Sequence, residues 1–424
     1  MPTPAATSMI DRAAAQRRTL ATLMTGQVFG GASVSSAVAV AALLASSILN
    51  SDRLAGIASA MLTFGAAFAS IPLSRMMRRK GRRPGLFTFY VAGMIGAGVA
   101  AIGGQLRSML LFIPGMFLFG FGQASNLQGR YVGADLAEPD RRARAIATVV
   151  WVGTLGAVFG PVLSDPEKRL GEQLGLDRLV GPFLFSSLFF GLAALNIYIR
   201  LRPDPLVLAG GLDDSATPAK PVFAQLRHSI GVIGRYPRAK LALVAMIISQ
   251  ASMVAVMTMT PLHMKDHGHA DLSAFVVAVH IVGMYGFAPL IGRFADRQGR
   301  IRTLVAAGAI LAAGTVVAVL AGYHPTLIFL GLFLLGVGWN FGLIGGSALL
   351  TESVPAVERV ATQGSADLLM SLCGGTAGFS SGFIKTAWGY HWLANGATVA
   401  AGVLLALAFY AQRLGTSATP SAAA

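Results

Sequence analysis

The residues of this sequence best suited to chemistry are one histidine and three methionines that recur at a four-residue spacing. His280 and Met284 stand four apart in "AVHIVGM", and Met253 and Met257 stand four apart in "SMVAVMTM". In an α-helix, residues i and i+4 lie on one face. Thioether sulfur suits Cu(I) best among biological cations, and imidazole adds a borderline donor. The set therefore indicates a copper site, whereas Mg²⁺ or Ca²⁺ would require carboxylates.

The same four residues also have ordinary explanations. Methionine packs well in any apolar core. A histidine inside an apolar helix could simply hydrogen bond a neighbour or bind an organic ligand. Residue type and spacing alone leave these explanations open beside the metal site.

The composition decides what kind of chain must position these side chains. It is 54% hydrophobic and 12% charged over 424 residues, with a mean hydropathy of +0.65. A soluble fold would carry roughly twice that share of charge, and apolar windows of 18 or more residues recur throughout. We expect an all-α integral membrane protein with twelve transmembrane helices. The predicted spans lie near 20–48, 52–74, 85–105, 108–130, 143–164, 181–200, 241–261, 273–291, 303–321, 326–350, 363–386 and 392–411.

The distribution of lysine and arginine predicts the orientation of these spans. If both termini are cytoplasmic, most of the 33 basic residues fall on the cytoplasmic side of the membrane. Cytoplasmic loops of membrane proteins carry an excess of lysine and arginine. The net charge of +15 is then a topology signal and an attraction to anionic lipid, so we expect the lipid bilayer as a partner and no nucleic acid.

The two predicted spans that carry the four donors can place them at one depth. Spans 7 and 8 are consecutive and antiparallel about a turn at Gly268. Met257 then lies level with His280, and Met253 lies level with Met284. One ion could therefore touch three or four of them in the outer half of the membrane.

An internal repeat divides the chain into two six-helix halves. "RMMRRKGRRP" (75–84) and "GRFADRQGRIR" (292–302) follow spans 2 and 8, and further matches recur at nearly the same offset. We expect an N-terminal half at 1–200, a cytoplasmic linker with a surface helix at 201–240, and a C-terminal half at 241–424.

These features resemble the major facilitator superfamily over nearly the whole chain. "GRFADRQGR" is similar to its signature loop, and the resemblance implies gating or coupling roles for Asp296, Arg297 and Arg300. The first copy departs from the pattern, because Arg78 stands where the second copy has Asp296. Asp367, the only acid well inside a second-half span, is a further candidate for gating or coupling.

The paired motifs Met253-x-x-x-Met257 and His280-x-x-x-Met284 resemble those of the CcoA-like copper importers of bacterial plasma membranes. This resemblance implies import of copper, as the transported substrate, for assembly of a cbb3-type cytochrome oxidase. We expect a transporter and not an enzyme, a monomer in the bacterial inner membrane without a permanently bound cofactor, and a copper chaperone as a possible recipient. Side chains between the two spans could collect the metal first, namely His263, Met264, His267 and His269.

Three other functions stay open from the sequence. "GAVFGP" at 156–161 resembles an element of drug–proton antiporters, although Phe117 replaces the arginine such exporters often carry and the first span has no acid. A riboflavin-type importer would take an organic solute. A membrane sensor would need a signalling domain, for which we expect neither tail to be long enough.

Overall fold

The computed structural model describes residues 4–50, 57–212, 221–269, 272–322 and 324–417. Within these ranges the chain is helical and contains no β-strand. Ten helical segments there are long and apolar enough to cross a membrane. The two further predicted spans, 143–164 and 363–386, lie in helices of 32 and 33 residues. The all-α membrane fold expected from the sequence is therefore confirmed.

The α-helices are numbered here along the chain. They are α1 Pro4–Leu49, α2 Ile57–Lys80, α3 Arg82–Gln105, α4 Met109–Val132, α5 Arg142–Gln173, α6 Gly181–Arg200, α7 Pro205–Leu208, α8 Val222–Arg235, α9 Pro237–Asp266, α10 Ser273–Ile281, α11 Ala288–Gln298, α12 Arg300–Leu320, α13 Pro325–Ser353, α14 Ala356–Trp388 and α15 Tyr390–Ser417.

Glycine separates consecutive helices at the same point of both signature loops. Gly81 lies between α2 and α3 with φ 97°, and Gly299 lies between α11 and α12 with φ 90°. Residues with a side chain rarely adopt this left-handed backbone conformation, so glycine is the residue that permits the turn. The two loops aligned from the sequence therefore share one backbone conformation.

The helices cluster into two compact units. Unit 1 comprises Met1–Glu138, Thr148–Ile230 and Ala356–Leu372. Its helices α3 and α4 pack closely, because a Cβ added at Gly93 would lie 2.6 Å from the Gly122 Cα. Phe119 and Phe190 fill the space beside this contact, with ring centroids 5.0 Å apart. Small residues at helix crossings with aromatic fillers are typical of membrane helix bundles.

Unit 2 comprises Pro139–Ala147, Gly231–Pro355 and Cys373–Ala424. Here α12 packs closely against α13 and α15. A Cβ at Gly314 would lie 2.7 Å from the Leu335 nitrogen of α13, and one at Gly308 would lie 2.7 Å from the Leu405 Cα of α15. Each unit thus takes one short segment from the other half of the sequence, from α14 in unit 1 and around the start of α5 in unit 2.

The predicted eighth span, 273–291, is not one continuous α-helix as expected. It consists of α10, a π-helical turn at Val282–Gly286 and the beginning of α11. Pro289 lacks the N–H that an α-helix would direct at Tyr285, and Gly283 and Gly286 tolerate the wider turn. Met284 therefore lies in a π turn, and the α-helical i, i+4 geometry applies only to Met253 and Met257.

The linker contains the surface helix that the sequence predicted, because α8 covers Val222–Arg235. The remaining part of the predicted linker that is rich in Ser, Thr and Pro, 213–220, lies outside the described residues.

Candidate substrate site and gating contacts

His280 is the most unusual polar residue of unit 2. Its side chain is fully buried, and Nδ1 lies 2.7 Å from the carbonyl oxygen of Leu332 on α13. A carbonyl oxygen only accepts hydrogen bonds, so Nδ1 carries the proton and Nε2 of the neutral ring holds a lone pair. No hydrogen-bond partner for Nε2 exists among the described residues. One ring nitrogen is thus held by a hydrogen bond, and the lone pair of the other is available to a ligand.

The three methionines of the predicted site lie in the same unit. Met253 and Met284 are buried, with 4% and 7% of their surface exposed, and Met257 is half-buried. Helix α9, which carries Met253 and Met257, packs against both α10 and α13. The sequence-predicted donors therefore belong to neighbouring helices with mostly buried side chains.

Close backbone packing holds the His280 and Met284 segment against α13. A Cβ at Gly336 would lie 2.5 Å from the His280 carbonyl oxygen and 2.9 Å from the Met284 nitrogen. A Cβ at Gly283 would in turn lie 2.5 Å from the Phe333 carbonyl oxygen. Isolated π turns of this kind often mark functional sites. This packing leaves the segment little freedom to move relative to α13.

Further polar groups in this unit are buried without partners. Both side-chain atoms of Asn340 on α13 lack a hydrogen bond among the described residues, as do the hydroxyls of Ser249 and Ser252 on α9. Gln250 is different, because its Oε1 accepts a 2.7 Å bond from the Trp339 indole. Buried polar atoms without partners are few in native proteins, and each requires an explanation such as a ligand.

The loop between the predicted spans 7 and 8, which was expected to collect metal, is shorter than the sequence predicted. Helix α9 continues to Asp266, so His263 and Met264 lie in its last turn and not in a loop, and Met264 is fully buried. Gly268 makes the expected turn with φ 82°, and His269 donates its backbone N–H to the Met264 carbonyl.

A cavity of about 420 Å³ lies at this end of unit 2. The His263 ring stacks on Tyr390 with centroids 4.3 Å apart and lies 4.5 Å from the ring of His267. Lys385 pairs with Asp266. No three His, Cys, Asp or Glu side chains of the described chain stand in a group that could hold a metal ion.

Asp367 is buried in unit 1 and ion-paired. It contacts the guanidinium of Arg130, accepts a 2.8 Å bond from Gln128 Nε2, and lies 3.5 Å from the Tyr131 hydroxyl. All three partners belong to α4. A second residue of α14 also bonds to a buried arginine. Gln363, one helical turn before Asp367, accepts a 3.0 Å hydrogen bond from Arg82.

Arg82 also donates two hydrogen bonds, of 2.8 and 3.0 Å, to the carboxylate of Asp135. Sequence reasoning missed both residues because it assigned them to exposed loops. Their flanking positions at helix ends, in a chain with so few acids, were the only available signal. The sequence also missed Glu167, which is buried near the C-terminal end of α5.

The signature loop of unit 2 forms a compact charge cluster. Asp296 accepts hydrogen bonds of 3.1 and 3.0 Å from the backbone N–H groups of Ala143 and Arg144, at the N-terminus of α5. Arg300 lies 3.1 Å from Asp296 and 2.9 Å from Glu352. A carboxylate at this place stabilises the unpaired N–H groups and the dipole of the helix.

Two other residues of this loop lie outside the charge cluster. Arg297 is exposed. Gly292 is enclosed, because a Cβ there would lie 2.5 Å from the Ala147 Cβ. In the first copy of the loop, Ser74 occupies the place of Gly292, and the glycine stands on the opposite helix as Gly364. Each copy therefore keeps one glycine at the helix contact.

Comparison with known proteins identifies the family. The model of the Major Facilitator Superfamily matches residues 23–286 and 241–424. The MFS-type transporter YddS of Bacillus subtilis, described as uncharacterized, is 37% identical over 407 residues, which cover 94% of this chain and 92% of YddS. The riboflavin transporter RfnT of Brucella anthropi is 29% identical over 387 residues, covering 90% of this chain and 93% of RfnT.

Solved transporters share the fold at low sequence identity. The proton:xylose symporter XylE superposes with a TM-score of 0.72 at 14% identity, covering 95% of this chain and 96% of its own. The human organic anion transporter MFSD10 gives a TM-score of 0.68 at 15% identity, covering 93% and 99%. With a family model that matches most of its length, this chain belongs to the Major Facilitator Superfamily and is a multi-pass membrane transporter.

Proposed function

We propose that this transporter imports copper, as a CcoA-like member of its superfamily. The observation that carries the proposal is the His280 ring, anchored by Leu332 through Nδ1 and without a partner at Nε2 inside a buried site. Histidines that bind metal ions usually donate their other N–H to a carbonyl or carboxylate, which fixes the tautomer and the ring orientation. His280 has this arrangement.

The other three donors favour a soft, monovalent ion. Met253, Met257 and Met284 supply neutral thioethers, and the sequence of α9 before Asp266 and of α10 contains no acid. Thioether and imidazole together suit Cu(I) and fit Mg²⁺ or Ca²⁺ poorly. A site without a fixed negative charge also leaves no unpaired buried anion after the ion departs.

An organic-solute importer is the second candidate, and two observations favour it. The relative RfnT is named a riboflavin transporter. In unit 2, Trp339 meets Tyr285 edge to face with centroids 5.6 Å apart, and the amide of the next residue, Asn340, has no partner among the described residues. Aromatic rings next to a few polar groups are typical of sites for small organic ligands.

Uptake of radiolabelled copper at limiting concentration, in cells without their own copper importer, tests the proposal. Even an outer-shell partner of a metal ligand is commonly worth about 10- to 100-fold, so His280→Ala should reduce uptake at least about tenfold. Met257→Leu keeps the volume and removes the sulfur, and it should also reduce uptake. Met259→Leu, on the same helix and likewise half-buried, is the matched control.

The outcomes separate the two candidates. Copper uptake that is equal in wild type and His280→Ala, at equal abundance in the membrane, would overturn the copper site. The same cells are then tested with radiolabelled riboflavin. Riboflavin uptake that depends on Trp339 and is indifferent to Met257→Leu would establish the organic-solute function instead.

Localisation and physiological role follow from the same proposal. We place the protein in the bacterial inner membrane with both termini in the cytoplasm, since basic residues are concentrated on that side. The copper would supply a cbb3-type cytochrome oxidase, with a copper chaperone as recipient. Asp296, Arg297, Arg300 and Asp367 would serve gating or coupling and would not hold the ion.

A further inference from the structure

Glu167, near the C-terminal end of α5 in unit 1, is a buried acid with an incomplete set of partners. Its side chain has no exposed surface. Oε1 accepts a 2.7 Å hydrogen bond from the hydroxyl of Ser36 on α1, which is also fully buried. Oε2 has no hydrogen-bond partner among the described residues. One hydroxyl is a small set of donors for a carboxylate that is shielded from water.

No Lys or Arg of the described residues forms an ion pair with Glu167, and the charge that favours its ionised form is the adjacent Lys168. Lys168 also lies 3.8 Å from Asp165, and Arg169 and Glu172 on the same helix are exposed. In the turn before α6, Arg178 lies 3.9 Å from Glu172, and Asp177 is the other charged residue. Helix α1 has no charged residue between Arg18 and Asn50, and α6, whose Gly181 packs against the Glu167 backbone, has none before Arg200.

Asp367 provides an instructive contrast within the same unit. It is equally buried, but it has a guanidinium partner in Arg130 and a further donor in Gln128. These groups stabilise the ionised form of Asp367. Glu167 has a single neutral donor, so a proton on Oε2 would remove the cost of burying its charge.

We propose that Glu167 is a proton-exchange site that couples substrate movement to the proton gradient, with Ser36 as its positioning residue. The Ser36 hydroxyl holds Oε1 and leaves Oε2 for the proton. This proposal rests on the transporter function of the family and is independent of whether the substrate is copper or an organic solute.

Infrared difference spectroscopy of the purified protein in lipid tests the site without any substrate. A protonated carboxyl has a C=O stretch well separated from the bands of a carboxylate. The wild type should show such a band and lose it as the pH rises. Glu167→Gln, which keeps the shape and the acceptor for Ser36, should lack the band, and Ser36→Ala should shift it because the hydrogen bond is lost. Asp165→Asn, at the exposed neighbouring acid, and Asp367→Asn should both keep it.

Transport in proteoliposomes tests the coupling. Accumulation against a gradient requires net proton movement, whereas exchange of labelled for unlabelled substrate does not. Glu167→Gln should lose accumulation driven by a pH gradient and retain exchange, and Asp165→Asn should retain both. If Glu167→Gln lacked the infrared band but accumulated substrate like the wild type, the coupling role would be overturned. If the band were unchanged in Glu167→Gln, the site itself would be overturned. Absence of copper transport by the wild type would instead refute the proposed substrate and leave the infrared result valid.

Discussion

The buried polar groups of the two units differ in a way that separates two tasks. In unit 1 the buried acids and bases are mostly paired, as in Arg82 with Asp135 and Arg130 with Asp367. In unit 2 the buried polar residues of the described chain are neutral, and the His280 Nε2 atom and the Asn340 amide have no hydrogen-bond partner there. Paired charges fix a structure because separating them is costly. Neutral polar atoms without a partner are available to bind a ligand. The difference suggests that unit 1 contributes structural and coupling contacts and that unit 2 contributes the substrate site.

The largest effect should come from breaking a buried ion pair in unit 1. Asp367→Ala leaves the Arg130 guanidinium buried without its counter-ion, which typically costs about 3–5 kcal/mol. We expect a sharp fall in the abundance and melting temperature of the membrane protein. The double variant Arg130→Met with Asp367→Leu removes both charges and should recover most of the stability, because replacing a whole buried pair by apolar groups is often neutral.

Transport by that double variant decides the role of the pair. If Asp367 acts in coupling or gating, the double variant folds and does not transport. Normal transport by the double variant would mean that the pair is structural only. Equal abundance of Asp367→Ala and the double variant would contradict the ion pair as a source of stability.

A smaller effect is expected at the helix contact of the substrate site. Gly336→Ala places a methyl group 2.5 Å from the His280 carbonyl oxygen, which is backbone and cannot turn away. Overpacking of this kind costs about 1–3 kcal/mol, and the shift of α10 should also reduce copper uptake. Gly402→Ala on α15 is the control, since no atom lies within 4 Å of its added Cβ. A control that loses as much uptake as Gly336→Ala would show that the effect is not local.

The unpaired amide of Asn340 gives the most direct test of the comparison between the units. Replacing a buried group without partners by an apolar one of similar shape is neutral or stabilising by about 1 kcal/mol. Asn340→Leu should therefore melt at the same temperature as the wild type, or higher, and bind substrate more weakly. In unit 1, Asn126 accepts a bond of 3.3 Å from the Tyr90 hydroxyl, so Asn126→Leu should lower the melting temperature. Destabilisation by both variants would remove the distinction drawn between the units.

Much of this fold was accessible from the sequence because it depends on long apolar windows and on a repeated loop. Membrane spans require about 20 apolar residues in succession, and Gly81 and Gly299 mark the same turn in both halves. The π turn at Val282–Gly286 was missed because glycine and proline in a membrane helix are compatible with several local geometries.

The candidate site was accessible only in part, since residue spacing reports a face of a helix but not the partners of each atom. The motif selected His280, but the anchor at Leu332 is a backbone carbonyl from a helix 52 residues away, and no sequence pattern encodes it. Arg82, Asp135 and Glu167 were missed because they lie near helix ends, where burial depends on tertiary packing and not on local sequence.

The smallest effect should arise at the signature loop, where charges are partly exposed. Asp296 accepts two backbone N–H bonds at the start of α5, and Asn in its place keeps one amide oxygen as acceptor and loses the negative charge. Loss of a helix cap typically costs about 1 kcal/mol, and the Arg300 guanidinium still has Glu352 as a partner. We therefore expect Asp296→Asn to remain folded with a slightly lower melting temperature and to transport more slowly, because the contact that holds the start of α5 is weaker. The exposed Arg293, on the same helix, provides the matched control, and Arg293→Ala should change neither quantity. If Asp296→Asn transported at the wild-type rate while its melting temperature fell, the loop would contribute to stability alone, and the gating role would remain with Asp367.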